Sequence, residues 1–235
     1  MRLDKFLAEC GLGTRTEVKK LIKSGSVTVE CEEKIKPETH IIPEECRVFV
    51  NGKLLNYRKF IYLLLNKPKG YVSATWDKKL PTVIDLLSEK YRHFNPFPVG
   101  RLDIDTTGLL ILTNDGDLSH NLLSPKHHVP KTYIAELENP PKLSYIEVFE
   151  KGIDLGDFVT LPASLKFLSF EKPYLAEVTI CEGKFHQVKR MFEAVSNKVV
   201  DLKRIKFKNI ELDENLALGD IRELLPEEVK DLKEI

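Results

Sequence analysis

The apolar positions of the chain change period several times, and each change marks an element. Leu3, Phe6, Leu7 and Cys10 recur at i, i+3, i+4 and i+7, which predicts an amphipathic helix over residues 3–10, ended by Gly11 and Gly13. Thr14-Arg15-Thr16-Glu17 has capping-box spacing, so a second helix follows Thr14, turns Val18, Leu21 and Ile22 inward, and stops near Ser24-Gly25. Val27-Thr28-Val29 and Arg47-Val48-Phe49-Val50 have strand character, the latter turning at Asn51-Gly52. Polar Asn56-Tyr57-Arg58-Lys59 then separates these patterns from a longer set. Residues 60–65 and 109–113 are short apolar runs that suit buried strands. Residues 131–138 and 174–181 alternate polar and apolar, and residues 199–207 and 210–212 add further strands. Helical stretches are predicted over 81–87, with Pro81 at its start, over 117–123, along the face made by Val188, Met191, Phe192 and Val195, and at the end of the chain. The fold class is therefore α+β: a small α/β domain at 1–56, a linker at 57–59, and a larger domain of strands and helices at 60–235.

Composition changes this picture little. The chain is 42% hydrophobic and 31% charged, which suits a soluble globular protein. The formal net charge is +0, so any nucleic-acid site must come from local clustering. One cluster exists: Arg2, Lys5, Arg15, Lys19, Lys20 and Lys23 lie in the first two helices, while Glu30, Glu32, Glu33, Glu38, Glu44 and Glu45 follow them. Such a charge dipole describes a solvated helix pair as well as a face that docks on phosphates, and charge alone does not choose. No apolar run is long enough to span a membrane, and the N-terminus lacks the apolar core of a signal peptide. Cys10, Cys31, Cys46 and Cys181 are scattered without a Cys-x-x-Cys pair, so reduced thiols in a cytoplasmic protein are expected rather than disulfides or zinc. His120, His127 and His128 have no ligand set beside them and read as surface residues, not a metal site.

The chemistry concentrates in Gly100-Arg101-Leu102-Asp103-Ile104-Asp105-Thr106-Thr107-Gly108, just before the strand at 109–113. A glycine-flanked loop held by a buried strand can present a carboxylate beside a guanidinium. Three readings compete. Asp103 and Asp105 can be turn acids that cap backbone N–H groups. They can belong to the Asp-x-Asp-x-Thr loop of haloacid dehalogenase-like phosphatases, but that motif follows an apolar strand, whereas the residues here are preceded by Pro96-Phe97-Pro98. Or Asp103 is a lone catalytic carboxylate.

Residues 100–110, Gly-Arg-Leu-Asp-Ile-Asp-Thr-Thr-Gly-Leu-Leu, resemble the signature of the RsuA-type pseudouridine synthases, in which the Asp of Arg-Leu-Asp is essential. Leu65-Asn66-Lys67-Pro68-Lys69-Gly70, Lys131-Thr132-Tyr133 and the run from Glu182-Gly183-Lys184-Phe185-His186-Gln187 through Val188-Lys189-Arg190-Met191-Phe192 are similar to that family's other motifs, in the same order. Residues 1–56 resemble an S4 RNA-binding domain, departing from it where Glu30-Cys31-Glu32-Glu33 replaces the usual Asn-Gly. The resemblance implies the pseudouridine synthase fold, a mixed, largely antiparallel sheet domain with peripheral helices, and isomerisation of a uridine in ribosomal RNA, closest to the member that modifies small-subunit RNA. It gives Asp103 as the catalytic residue, Tyr133 against the target base and Lys184 as the partner of Asp103. It implies RNA contacts from Arg2, Lys5, Arg15, Lys19, Lys20, Lys67, Arg101, His186, Gln187, Lys189 and Arg190, although Lys67 is equally a solvated turn lysine. No external cofactor and no metal are implied. The partner would be ribosomal RNA, naked or in a pre-ribosomal particle, met by a monomer away from membranes. Two alternatives stay open: a large-subunit enzyme of the same family, and a non-catalytic ribosome-assembly factor that binds the same RNA.

Overall fold

The computed structural model describes residues 1–234, which form two compact units. The first comprises Met1–Ile61 together with Ser88–Asn95. Its helices are α1 (Leu3–Glu9) and α2 (Arg15–Lys23). Thr14 caps α2: its backbone N–H donates to Glu17 Oε2 at 2.7 Å, and its hydroxyl accepts from the Glu17 N–H at 3.4 Å. Strand β1 (Val27–Val29) pairs antiparallel with β2 (Val48–Val50), which turns through Asn51 and Gly52 into β3 (Lys53–Leu54). Both turn residues have positive φ, as a tight hairpin requires. Leu3, Phe6, Leu7, Val18 and Ile22 pack on Val27, Val29, Ile41, Val48 and Val50 to make this unit's core. The short helix α3 (Glu89–Arg92) belongs to the same unit. His93 behind it lies so close to Gly11 that a Cβ there would stand 2.9 Å from the imidazole.

The cysteine expectation needs correction here. The β1/β2 register pairs Val29 with Val48, which brings the residues just beyond the strand ends together. Cys31 and Cys46 are joined in a disulfide, with Cα atoms 5.8 Å apart, while Cys10 and Cys181 are free. Spacing hid the pair, because the partners are 15 residues apart across an irregular loop.

The second unit runs from Tyr62 to Leu87 and again from Pro96 onward. Its strands are β4 (Tyr62–Lys67), β5 (Phe97–Pro98), β6 (Thr107–Thr113), β7 (Lys131–Leu137), β8 (Ser164–Ser169), β9 (Tyr174–Ile180), β10 (Val199–Phe207), β11 (Ile210–Glu211) and β12 (Ile221–Glu223). Its helices are α4 (Gly116–Leu123), α5 (Ser144–Lys151), α6 (Gln187–Ala194) and α7 (Pro226–Lys233). The sheet order is β12-β4-β6-β10-β7-β9-β8, with β5 on β6 and β11 on β10. All pairings are antiparallel except β6 with β10. Every residue of β4 and β6 is buried, as their unbroken apolar runs anticipate, and β7 alternates with Lys131, Tyr133, Ala135 and Leu137 inward. The mixed, mainly antiparallel sheet with peripheral helices is the predicted α+β class.

Two local readings differ. Residues 81–87 form turns instead of a helix: the Thr82 N–H and hydroxyl both bond the Asp85 carboxylate, and Thr82 bridges to Val72. Helix α5 and strand β8, by contrast, are not among the elements that the sequence pattern predicts.

Candidate active site

The loop of residues 100–108 crosses one end of the sheet, between β5 and the start of β6. Gly100 and Gly108 open and close it with φ of +77° and +101°. At Gly108 there is no room for a side chain, because a Cβ would stand 2.2 Å from the Arg204 carbonyl oxygen on the parallel neighbour β10. The backbone between is held by two buried side chains. Ser73 donates to the Leu102 carbonyl at 2.9 Å and accepts from the Leu102 N–H at 3.0 Å. Lys67, fully buried at the end of β4, points its ammonium at the carbonyl oxygens of Asp103 and Thr106, both at 3.0 Å, of Pro68 at 3.1 Å and of Ile104 at 3.4 Å. Burial pushes its amine down to about 8, against the opposing pull of Asp105 and Asp103. Lys67 therefore does not face RNA, as the turn reading allowed. It is still part of β4, whose register against Gly108 drives it under the loop.

So supported, the loop presents Asp103 to a small pocket with its side chain 28% exposed, neither sealed nor fully solvated. Tyr133 and Leu202, inward residues of β7 and β10, line the same pocket. The cations come from the turn before α6 and from its first turn. Lys189 Nζ lies 3.4 Å from Asp103 Oδ2 and 2.7 Å from Asp105 Oδ1, and His186 Nε2 lies 3.6 Å from Asp103 Oδ1. The hydrogen bond from Lys189 holds the Asp105 carboxyl below its usual range. His186 adopts a left-handed backbone (φ 49°) and stacks flat on Phe185, whose ring is 75% exposed at the rim.

The expected partner of Asp103 is displaced. Lys184 lines the pocket, but its ammonium lies over the Phe158 ring, 5.8 Å from the centroid, and the amine beside Asp103 belongs to Lys189. Lys184 precedes α6, and its N–H bonds the Gln187 side chain; Lys189 is the residue whose place on the helix turns it to the loop. Two further expected RNA contacts are engaged within the protein, one buried and one in a surface ion pair. Gln187 is buried, accepting from Lys184 and donating to Glu182 at 2.7 Å. Arg190 is paired with Asp157 and the Leu155 carbonyl. Arg101 is exposed at the pocket mouth. In the first unit Arg15, Lys19 and Lys20 are exposed on α2, Lys5 pairs with Glu9 at 3.6 Å, and Arg2 grips buried Asp4 through two hydrogen bonds. Sequence reasoning missed Ser73 and the part played by Lys189 at Asp103. No local pattern marks Ser73, whereas Lys189 stood in the motif but was assigned to phosphate.

Comparison with known proteins shows the family. A family profile described as RNA pseudouridylate synthase matches residues 61–194, and an S4 domain profile matches residues 1–30. The chain is 46% identical to the uncharacterized RNA pseudouridine synthase YtzG of Bacillus subtilis over 236 residues, covering all of this chain and 99% of that one. It is 41% identical to ribosomal small subunit pseudouridine synthase A of Escherichia coli over 231 residues, covering 97% and 98% of the two chains. A crystal structure of a pseudouridylate synthase superposes with a TM-score of 0.69 at 38% identity, covering 99% of each chain.

Proposed function

The chain belongs to the RNA pseudouridylate synthase family, and from that premise we propose that it isomerises a uridine of small-subunit ribosomal RNA to pseudouridine. The observation that carries the reading is one carboxylate, Asp103, half-open to a pocket that Tyr133 also lines and held beside the ammonium of Lys189 at 3.4 Å. The reaction breaks the N1–C1′ bond, turns the uracil, joins C5 to C1′ and releases the C5 proton. Nothing is oxidised and no energy carrier is spent.

The residues divide the work as follows. Asp103, as a carboxylate, acts at the sugar. Lys189 orients it and, with Lys67 beneath, keeps it from swinging away. Tyr133 offers a face for the uracil and a hydroxyl near C5. The target base leaves its stack to enter, at a cost of about a few kcal/mol. Phosphate contacts from Arg15, Lys19 and Lys20 on α2, from Lys184 and from Arg101 offset that cost. His186 and the exposed Phe185 ring stand where neighbouring nucleotides would pass. The proposed substrate is ribosomal RNA or a pre-ribosomal particle, met in the cytoplasm by a monomer; no helix among the described residues is long and apolar enough to cross a membrane.

Two measurements test it. Purified protein is incubated with small- and large-subunit ribosomal RNA, and pseudouridine is mapped in both. A new site in small-subunit RNA is expected; a site only in the large subunit would move the substrate, and none in either would end the proposal. Tritium release from RNA labelled at uridine C5 then compares the wild type with Asp103→Asn. The variant is expected to release no more than background while binding RNA as tightly as the wild type. Continued turnover by Asp103→Asn would remove Asp103 from the chemistry.

A further inference from the structure

Beside the catalytic pocket, on the same face of the sheet, lies a larger cavity of about 440 Å³. Tyr133, Arg101 and Lys184 line both, so the two form one continuous cleft. The walls of the larger cavity are mainly apolar, yet two cations reach into it from adjacent strands. Arg204 of β10 is 2% exposed and Lys131 of β7 is 9% exposed. They flank one ring: Lys131 Nζ is 5.5 Å and Arg204 Cζ 5.2 Å from the centroid of Phe207.

Neither cation has a carboxylate partner among the described residues. Arg204 uses only Nε, which donates to the Leu109 carbonyl at 2.8 Å; its buried Nη2 has no acceptor. Lys131 donates only to the Val129 carbonyl at 2.7 Å. The one carboxylate among the described residues of the cavity wall, Glu182, already accepts from the Leu161 N–H and from Gln187. Burial and the like charge of Arg204 push the Lys131 amine down to about 8. Two buried like charges without a counter-charge are costly, and a fold keeps such an arrangement where an outside group completes it. A guanidinium edge next to an ammonium suits a tetrahedral oxyanion better than a neutral carbonyl.

We propose that this cavity is an oxyanion subsite in which Arg204 and Lys131 hold a phosphate group of the RNA strand that carries the target uridine. The RNA source of the phosphate rests on the function proposed above. The subsite anchors the strand beside Tyr133, so that the extruded nucleotide is fixed by its backbone as well as by its base.

Acylation of the intact protein, with modified lysines read by mass spectrometry, tests this directly on Lys131. At constant ionic strength, saturating sodium phosphate is expected to slow labelling of Lys131 about tenfold relative to chloride. Uridine monophosphate should protect at lower concentration than phosphate, uridine should not protect, and ribosomal RNA should protect best. Equal labelling in phosphate and chloride overturns the subsite. Protection by uridine equal to that by its monophosphate assigns the cavity to the base instead. Protection by inorganic phosphate but not by RNA makes it a site for a free anion, and also overturns the proposal. Binding of the same probes to Lys131→Met and Arg204→Lys, with folding checked by circular dichroism, supplies the second readout. The affinity advantage of monophosphate over nucleoside should collapse about tenfold in both, a loss of about 1.4 kcal/mol. Undiminished advantage in folded variants counts against the assignment. Pseudouridine formation by the wild type is scored separately, so a failed subsite and a failed function give different results.

Discussion

Three buried cations lie in or beside the candidate site, and they behave differently because their partners differ. Lys67 is matched by four carbonyl oxygens of the loop it supports. Lys67→Met leaves those acceptors unsatisfied and is expected to cost about 2–4 kcal/mol, read as a lower urea midpoint. The turnover of the remaining folded protein should fall as well, since Asp103 loses the support beneath its own carbonyl. Lys131 has one carbonyl and a like-charged neighbour, so Lys131→Met is expected to raise the melting temperature, by the equivalent of about 2 kcal/mol, while impairing RNA binding. Both amines titrate near 8 in the folded protein against an ordinary 10.5. Between those values the unfolded chain holds more protons than the folded one, so the contribution of these two lysines to stability rises with pH across that interval. Urea titrations at pH 8 and pH 10 should show the increase, and it should shrink by about half in Lys131→Met. Much of the site was legible at this scale: Asp103 and Tyr133 stand out in short motifs and share a pocket. What motifs do not encode is where a side chain turns once neighbours pack. Hence Lys67 appeared to be a turn residue, Lys184 was given the place Lys189 fills, and Arg204 went unnoticed inside a strand.

Among elements, the parallel β6/β10 pair fixes the most. It pairs Gly108 with Arg204, and there the positive φ and the Arg204 backbone both exclude a side chain. Gly108→Ala is expected to destabilise the second unit by more than about 3 kcal/mol, or to prevent its folding, visible as early loss of protected amides in β6 and β10 during hydrogen exchange. Elements with a strong period were readable in advance: β1, β10 and the Thr14 cap match their predicted positions, and α1, β6 and β7 differ by a residue or two. Residues 81–87 misled because Pro81 and a few apolar neighbours also suit a run of turns, and the Val72–Thr82 bridge that decides the matter is ten residues long-range. The Cys31–Cys46 bond was hidden for the same reason, since it depends on strand register and not on spacing.

For the molecule as a whole, a net charge of +0 conceals an uneven distribution. Arg15, Lys19 and Lys20 face solvent on α2, in a unit with its own hydrophobic core, while Asp103 belongs to the other unit. Replacing the three by Gln is expected to weaken RNA binding and to lower the slope of log affinity against log salt by about two, measured by filter binding across a salt series. Turnover at saturating RNA should change little. An unchanged slope would show that α2 does not meet phosphates. The candidate site itself is gathered from far along the chain: Lys67, Ser73, Asp103, Tyr133 and Lys189 each arrive on a different stretch. During synthesis, residues 1–61 emerge long before residue 189, so the helix-borne basic surface exists while the carboxylate still lacks its amine. A chain that has not yet reached residue 189 lacks the ammonium found beside Asp103, so the arrangement proposed for catalysis cannot assemble before that residue is made.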